Sequence, residues 1–224
     1  MSFLIETHFH TSEVSRCGKV RASDAVRLYK EKGYHGIVVT DHFCTDFFER
    51  LGTLSWNEKV DAYLEGYHTA QAAGKICGIQ VILGLEYAFP GTFDDILVYG
   101  VTPEMLKANP DMYRLGPVGF AKLAQRENLL LVQAHPFRPY VTRVYEEILE
   151  GLEVHNGNPR HDSDNGKAAR LAQEKGWVQL SGSDFHQEGD VAAGGILLSE
   201  MPSDSLSLAA MLRHIRTPAL VTGL

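Results

Sequence analysis

Short runs rich in Val, Ile and Leu recur along the whole chain, at Phe3–Ile5, Gly36–Thr40, Ile79–Leu85, Ile96–Val101, Leu129–Val132, Leu152–Val154, Val178–Leu180, Ile196–Leu198 and Ala219–Val221. Most are too short for helices and read as strands covered on both faces. Helical signals lie between them. Ser55-Trp56-Asn57-Glu58 has the spacing of a capping box, Val60, Leu64, Tyr67 and Ala70 follow at helical spacing, and Gly74 offers a left-handed stop. Further helices are expected over Ser23–Lys32, Pro117–Glu127, Ser163–Lys175 before Gly176, and about Ser205–Ile215. Repeated strand–helix–strand units require parallel pairing with right-handed crossovers, which leaves a doubly wound sheet or a barrel closed on itself. With no repeat, low-complexity tract or long linker, residues 1–224 read as a single domain.

What ends each strand is the informative feature. FLIETHFH ends in His8 and His10, GIVVTDH in Asp41 and His42, VILGLE in Glu86, LLLVQAH in His135, LEVH in His155, and VQLSGSDFH in Asp184 and His186. In a parallel barrel the C-terminal strand ends open onto one face, where residues distant in sequence converge. A single histidine after a strand is ordinarily a hydrogen-bonded loop or core residue; six of them at five strand ends, among carboxylates, form a pattern. His35, His68, His161 and His214 lack it and receive no role. His8 and His10 stand at i and i+2 of an extended strand, so both imidazoles can chelate one ion. Asp184 and His186 repeat that spacing. Nitrogen and oxygen donors without a thiolate cluster suit Zn, Mn or Fe in a multinuclear hydrolytic centre.

Composition excludes several other classes. Lys and Arg total 21 against 28 Asp and Glu, a formal charge of −7, which argues against broad binding to duplex nucleic acid or to an anionic membrane. Cys17, Cys44 and Cys77 are odd in number and widely spaced, so they build neither a disulfide framework nor a metal knuckle. The N-terminus lacks a signal-peptide pattern, and no apolar run approaches the ~20 residues of a membrane span. A soluble, cytoplasmic protein is expected.

The ordered motifs His8-Phe9-His10, Thr40-Asp41-His42, Gly84-Leu85-Glu86, Ala134-His135-Pro136 and Ser183-Asp184-Phe185-His186 resemble those of the PHP superfamily, named for polymerase and histidinol phosphatase. The resemblance spans residues 8 to 186. It implies an α/β fold, a single-domain distorted (β/α)7 TIM-like barrel, holding two or three divalent ions and usually hydrolysing phosphoesters. Carried over, His8, His10, Glu86 and Asp184 bind a first metal, Glu86 bridges to a second held also by His135, and His42 and His186 belong to a third. Two departures stand out. The family offers His or Asp some five or six residues after HxH, where this chain has Ser15 and Arg16; either Arg16 takes a substrate phosphate, or Cys17 replaces the ligand, or both lie in an exposed loop. Near Ile96 the family carries a histidine, whereas Asp95 here is an oxygen ligand or a solvated turn residue. His155 would complete the second site or act near the leaving group.

In the mechanism this implies, paired metals lower the pKa of a bridging water and polarise the phosphoryl oxygens. Arg138 is the leading phosphate donor because its planar fork matches phosphate oxygens, with Arg143 and Arg160 behind it. His155 or His186 would protonate the leaving oxygen. A small phosphorylated substrate, such as histidinol phosphate or a nucleotide, is expected. The aromatic segment Phe43–Trp56 forms either a lid over the site or local packing. Two competing readings remain: an amidohydrolase acting on amides or lactones, which also opens with HxH on a barrel strand, and a non-catalytic metal-binding accessory domain.

Overall fold

The computed structural model describes residues 2–223. Its eleven strands are β1 (Phe3–Phe9), β2 (Gly36–Val39), β3 (His42–Phe43), β4 (Gln80–Leu83), β5 (Leu85–Ala88), β6 (Asp95–Tyr99), β7 (Leu130–Gln133), β8 (Gly151–Asn156), β9 (Val178–Gly182), β10 (Gly195–Leu198) and β11 (Ala219–Val221). They form a mixed α/β fold of two sheets, ordered β11-β10-β1-β2-β4 and β3-β5-β6-β7-β8-β9. The expected alternation holds, with helices at Ala22–Glu31, Pro117–Glu127, Asn165–Lys175 and Ser205–Ile215 among others. The capping box at Ser55 is formed, with Glu58 answering the N-cap backbone. The helix it opens breaks at Leu64; its successor, Glu65–Cys77, runs through Gly74 and stops at Gly78, whose φ is 66°. Gly74 is instead a packing glycine, since a Cβ there would lie 2.7 Å from the Ile79 carbonyl oxygen.

Hydrogen bonding among the described strands does not run as one closed ring. The chain reverses direction at β6, which pairs antiparallel with both β5 and β7, and β10 and β11 add antiparallel to the outer edge of β1. Between the sheets, β1 lies beside β9 and is joined beyond it by one bridge, Phe9 to Phe185. Phe185 N–H donates to the His8 carbonyl at 3.2 Å and His10 N–H to the Phe185 carbonyl at 3.1 Å. That seam needs bare backbone: a Cβ on Gly182 would lie 2.5 Å from His8 Cβ. The parallel strand ends of β1, β5, β7 and β9 therefore open onto one side. Because β6 runs the other way, it is its start, at Asp95, that reaches the same side.

The segment Phe43–Trp56 is packing rather than a lid. Phe43 and Phe48 are fully buried and stack with Tyr63 and Tyr113 in the main core, with Trp56 against them. A stretch of large apolar rings gains more by burial than by standing over a polar cavity.

Candidate metal centre

Four side chains converge on a point, His8 and Glu86 from strands β1 and β5, and His10 and Asp184 from just past the ends of β1 and β9. His8 Nε2 lies 3.1 Å from His10 Nε2, 3.1 Å from Glu86 Oε1 and 3.4 Å from Asp184 Oδ1; His10 Nε2 lies 3.3 Å from Glu86 Oε2 and 3.5 Å from Asp184 Oδ1. Ligands roughly 2.1 Å from a tetrahedral ion stand about 3.4 Å apart, so the spacing of these donors fits a shared cation. Beside this group, His135 Nε2 lies 3.3 Å from Glu86 Oε1, and His8, Glu86 and His135 form a second cluster of ligating atoms. His42 Nδ1 approaches Glu86 Oε2 at 2.7 Å and, with Glu86 and Asp95, forms a third; His10, His42 and His186 form a fourth. Glu86 stands at the middle of these groups, yet neither of its buried carboxylate oxygens has an aligned hydrogen-bond partner. Such a group is costly unless a cation takes the place of the missing donors.

Protein groups behind the donors set their orientation. Glu153 Oε1 accepts from His8 Nδ1 at 2.9 Å, which leaves Nε2 as the lone-pair nitrogen facing the cluster. Its other oxygen accepts from the His135 backbone N–H and from Asn156 Nδ2, each at 2.9 Å. Ser15 donates to Asp41 at 2.6 Å, so its oxygen takes the His10 Nδ1 proton at 3.1 Å and frees His10 Nε2. Glu6 Oε1 accepts from the His8 and Ser183 backbone N–H groups, pinning β1 to the Asp184 loop; burial pushes its carboxyl up to about 7. His135 and Asp184 both occupy the left-handed region, with φ of 30° and 51°. That conformation costs energy for residues with a Cβ and is held by these bonds.

The charges of the cluster are tightly balanced. Burial alone would keep His8 neutral, but Glu153, Asp184 and Glu86 push it well above its ordinary value. Burial likewise opposes charge on His42, and Glu86 overcomes it. Burial would raise Glu86 and Asp184; His8 and His42 hold the first well below the usual carboxylate range, and His8, His10 and His186 the second. His10 goes the other way, lowered by burial and by His186 and His42. Asp95 is raised to about 7 by burial and by Glu86. Protons on His8 and His42 thus supply positive charge that bound cations can replace.

A cavity of about 480 Å3 opens over the cluster, lined by His42, Glu86, Asp95, His135, Asp184 and His186. That is a small-molecule volume. Around it stand Lys19, Arg138, Arg160, Phe93, Tyr140, Asn158 and His161.

The structure brings His8, His10, His42, Glu86, His135, Asp184 and His186 together, and places Asp95 with them. It does not bring in His155. The pairing of β8 with β9 shifts register between Glu153 and His155, so the two do not share a face as residues at i and i+2 otherwise would. Glu153 turns inward; His155 turns to the Ala193 carbonyl and to Asn165, 3.2 Å from each. Arg16 is exposed and faces Asp46 at 3.6 Å, and Arg143 is exposed, over the Tyr145 ring and paired with Glu147. Neither lines the cavity. Arg138 lines it, but donates to Asp184 at 2.7 Å, Asn156 at 2.8 Å, Tyr140 at 3.0 Å and Ser163 at 3.1 Å. It is a buried counter-ion that orients Asp184 before it is a phosphate donor. Asp41, in the TDH motif, accepts from Thr11 and Ser15 and braces their loop.

The model of the PHP domain matches residues 6–209. The chain belongs to the PHP family. Among curated proteins, none matches it. Three solved structures share the fold of this PHP domain. A two-domain protein from Bacteroides vulgatus containing a predicted PHP-like metal-dependent phosphoesterase aligns over 100% of the chain, with TM-score 0.67 and 16% identity. The match takes in 65% of that protein, so the PHP domain here spans less than two thirds of its length. An amidohydrolase from Chromobacterium violaceum, with bound sulfate and no metal, matches over 95% of this chain and 96% of its own, with TM-score 0.56 and 18% identity. A lesion-specific endonuclease from Pyrococcus furiosus matches over 98% of this chain and 58% of its own, with TM-score 0.63 and 14% identity. At these identities the likeness is one of fold.

Proposed function

We propose that this PHP domain is a metal-dependent phosphoesterase that hydrolyses a phosphomonoester of a small metabolite. The observation that carries the reading is the converging donor set around Glu86, at the spacing of ligands sharing an ion, on the floor of a cavity whose walls carry cations. His8, His10, Glu86 and Asp184 would hold one ion, Glu86 and His135 a second, with Asp95 and His42 at its edge. Two or three divalent ions, Zn, Mn or Fe, suit these donors, and when bound they supply Lewis acidity towards phosphoryl oxygens and ionise water near neutral pH.

The remaining roles fall to the chain itself. Lys19 has no ion-pair partner among the described residues and faces the cavity, so it takes the place that Arg16 and Arg143 leave empty as a phosphate donor. Arg160, though paired with Asp190, and Asn158 stand beside it. Arg138 keeps Asp184 aimed inward. The two sheets are read as parts of a distorted (β/α)7 barrel, supported by the seam between β1 and β9. The net charge of −7 favours a small substrate over duplex nucleic acid.

The test is to strip the protein of metal, reconstitute it with Mn, Zn or Fe, and assay a panel of phosphomonoesters beside amides and lactones. Metal-dependent phosphate release is expected. Turnover of amides or lactones alone makes it an amidohydrolase, and no turnover with any metal makes it an accessory domain.

A further inference from the structure

Seven large apolar side chains stand exposed among the described residues, and two of them are rings, Phe93 at 70% and Tyr140 at 42%. Scattered singly, such residues need no explanation. Here both rings, and none of the five aliphatic chains, line the cavity over the candidate metal centre. Their centroids are 5.9 Å apart with planes at 69°, edge to face, and His161 stands edge-on to Tyr140 at 6.3 Å. Three rings thus follow one another along the cavity lining.

This wall is braced by the loops that carry it. Phe93 lies in the loop from β5 to β6 and Tyr140 in the loop after β7, and the buried Asp94 ties the two loops together. Its carboxylate accepts from the Thr142 backbone N–H at 2.6 Å, from the Thr142 hydroxyl, and from the Tyr145 hydroxyl at 2.6 Å. Tyr140 is held at its polar end as well. Its hydroxyl accepts from Arg138 Nη1 at 3.0 Å, while Arg138 Nη2 donates to Asp184 at 2.7 Å. One guanidinium therefore spans from the aromatic wall to a carboxylate of the candidate metal centre and sets the distance between them. The cavity, at about 480 Å3, has room for much more than a phosphate group.

We propose that Phe93 and Tyr140 form a stacking subsite, so that the substrate is a phosphomonoester whose alcohol portion carries a flat aromatic ring. The inference rests on the phosphoesterase reading above for the phosphate end and adds a specificity for the other end. Phosphate at the metal centre and a ring on the wall orient the ester through two contacts of different kinds. Aromatic partners pack offset or edge to face, and the corner made by Phe93 and Tyr140 offers both a face and an edge. A saturated ring of equal size gains burial there without that complementarity.

Calorimetry with a matched pair of phosphonates on the metal-reconstituted protein tests this without reference to turnover. Benzylphosphonate and cyclohexylmethylphosphonate carry the same charge and nearly the same bulk, and only the first is flat. Benzylphosphonate is expected to bind ~10-fold more tightly. Phe93→Leu or Tyr140→Leu should bring that preference to within about twofold, whereas Tyr140→Phe, which keeps the ring and gives up the hydroxyl, should retain it. Circular dichroism checks that the variants fold, as substitution at exposed positions allows. Equal affinity for the two phosphonates, binding of neither, or a preference that survives both leucine variants overturns the proposal. Phosphate release from benzyl phosphate separates the two readings. Release without a ring preference in binding leaves the phosphoesterase reading standing and removes the stacking subsite; a ring preference without release leaves the subsite and removes the phosphoesterase.

Discussion

The floor of the cavity and its mouth use similar side chains but are held in different ways. On the floor, each ligand has a protein group behind it: Glu153 behind His8 and the His135 backbone, Ser15 behind His10, and Arg138 behind Asp184. These side chains are almost wholly buried, with His8 at 0% and Glu86 at 1% exposure. At the mouth, His42 is 30% exposed and stands with the carboxylates of Glu86 and Asp95, while the His186 ring bonds the backbone carbonyl of Asp184. The floor donors are oriented by protein groups on several sides; the mouth has fewer such restraints. Preorganisation by outer hydrogen bonds is thus a property of the floor more than of the mouth.

Glu86 belongs to both regions, so its replacement should have the largest effect. Glu86→Gln removes the charge shared by the clusters, and loss of several kcal/mol of charge stabilisation corresponds to ~10³-fold in rate. Elemental analysis should show loss of the floor ions together with activity. Full metal occupancy in that variant would contradict a bridging role. Glu153→Gln tests the floor alone: it keeps the shape but frees the His8 tautomer, and metal affinity measured by competition with a chelator should fall ~10–100-fold. Unchanged affinity would mean that the floor is not preoriented and does not differ from the mouth in this respect. The smallest effect is expected at His155, outside both regions. His155→Ala should leave kcat/KM within about twofold and cost roughly 1 kcal/mol in chemical denaturation, the worth of its hydrogen bonds. A large drop in activity there would return His155 to the site.

Much of the floor was legible in sequence because ligands follow strands in a way that propensity makes visible: His8, Glu86, His135 and Asp184 each end an apolar run. What was not legible depended on backbone irregularity. Regular alternation in LEVH puts Glu153 and His155 on one face, and only the register shift in the pairing with β9 parts them. A carboxylate within an apolar strand was nonetheless a signal, since burying it demands a partner. Arg138 was read as free because a sequence cannot show that Asp184, 46 positions away, already occupies its guanidinium. Lys19 and His161 carry no local pattern at all; the folding of their loops alone brings them to the cavity wall. The helices were read to within a residue or two where a capping box or a left-handed glycine marks the end, and less well at Leu64, where the break has no sequence punctuation.

The position of β1 sets when this centre can come into being. β1 carries His8, with His10 just past its end, pairs with β2 on one side and with β10 on the other, and is bridged to the loop that bears Asp184. His8 and His10 are more than 170 residues from Asp184, so the cluster exists only once these distant segments are paired. Contacts of such sequence separation form late. A cation that needs donors from both segments meets a site only after they have been joined, and its binding would then stabilise the joined state.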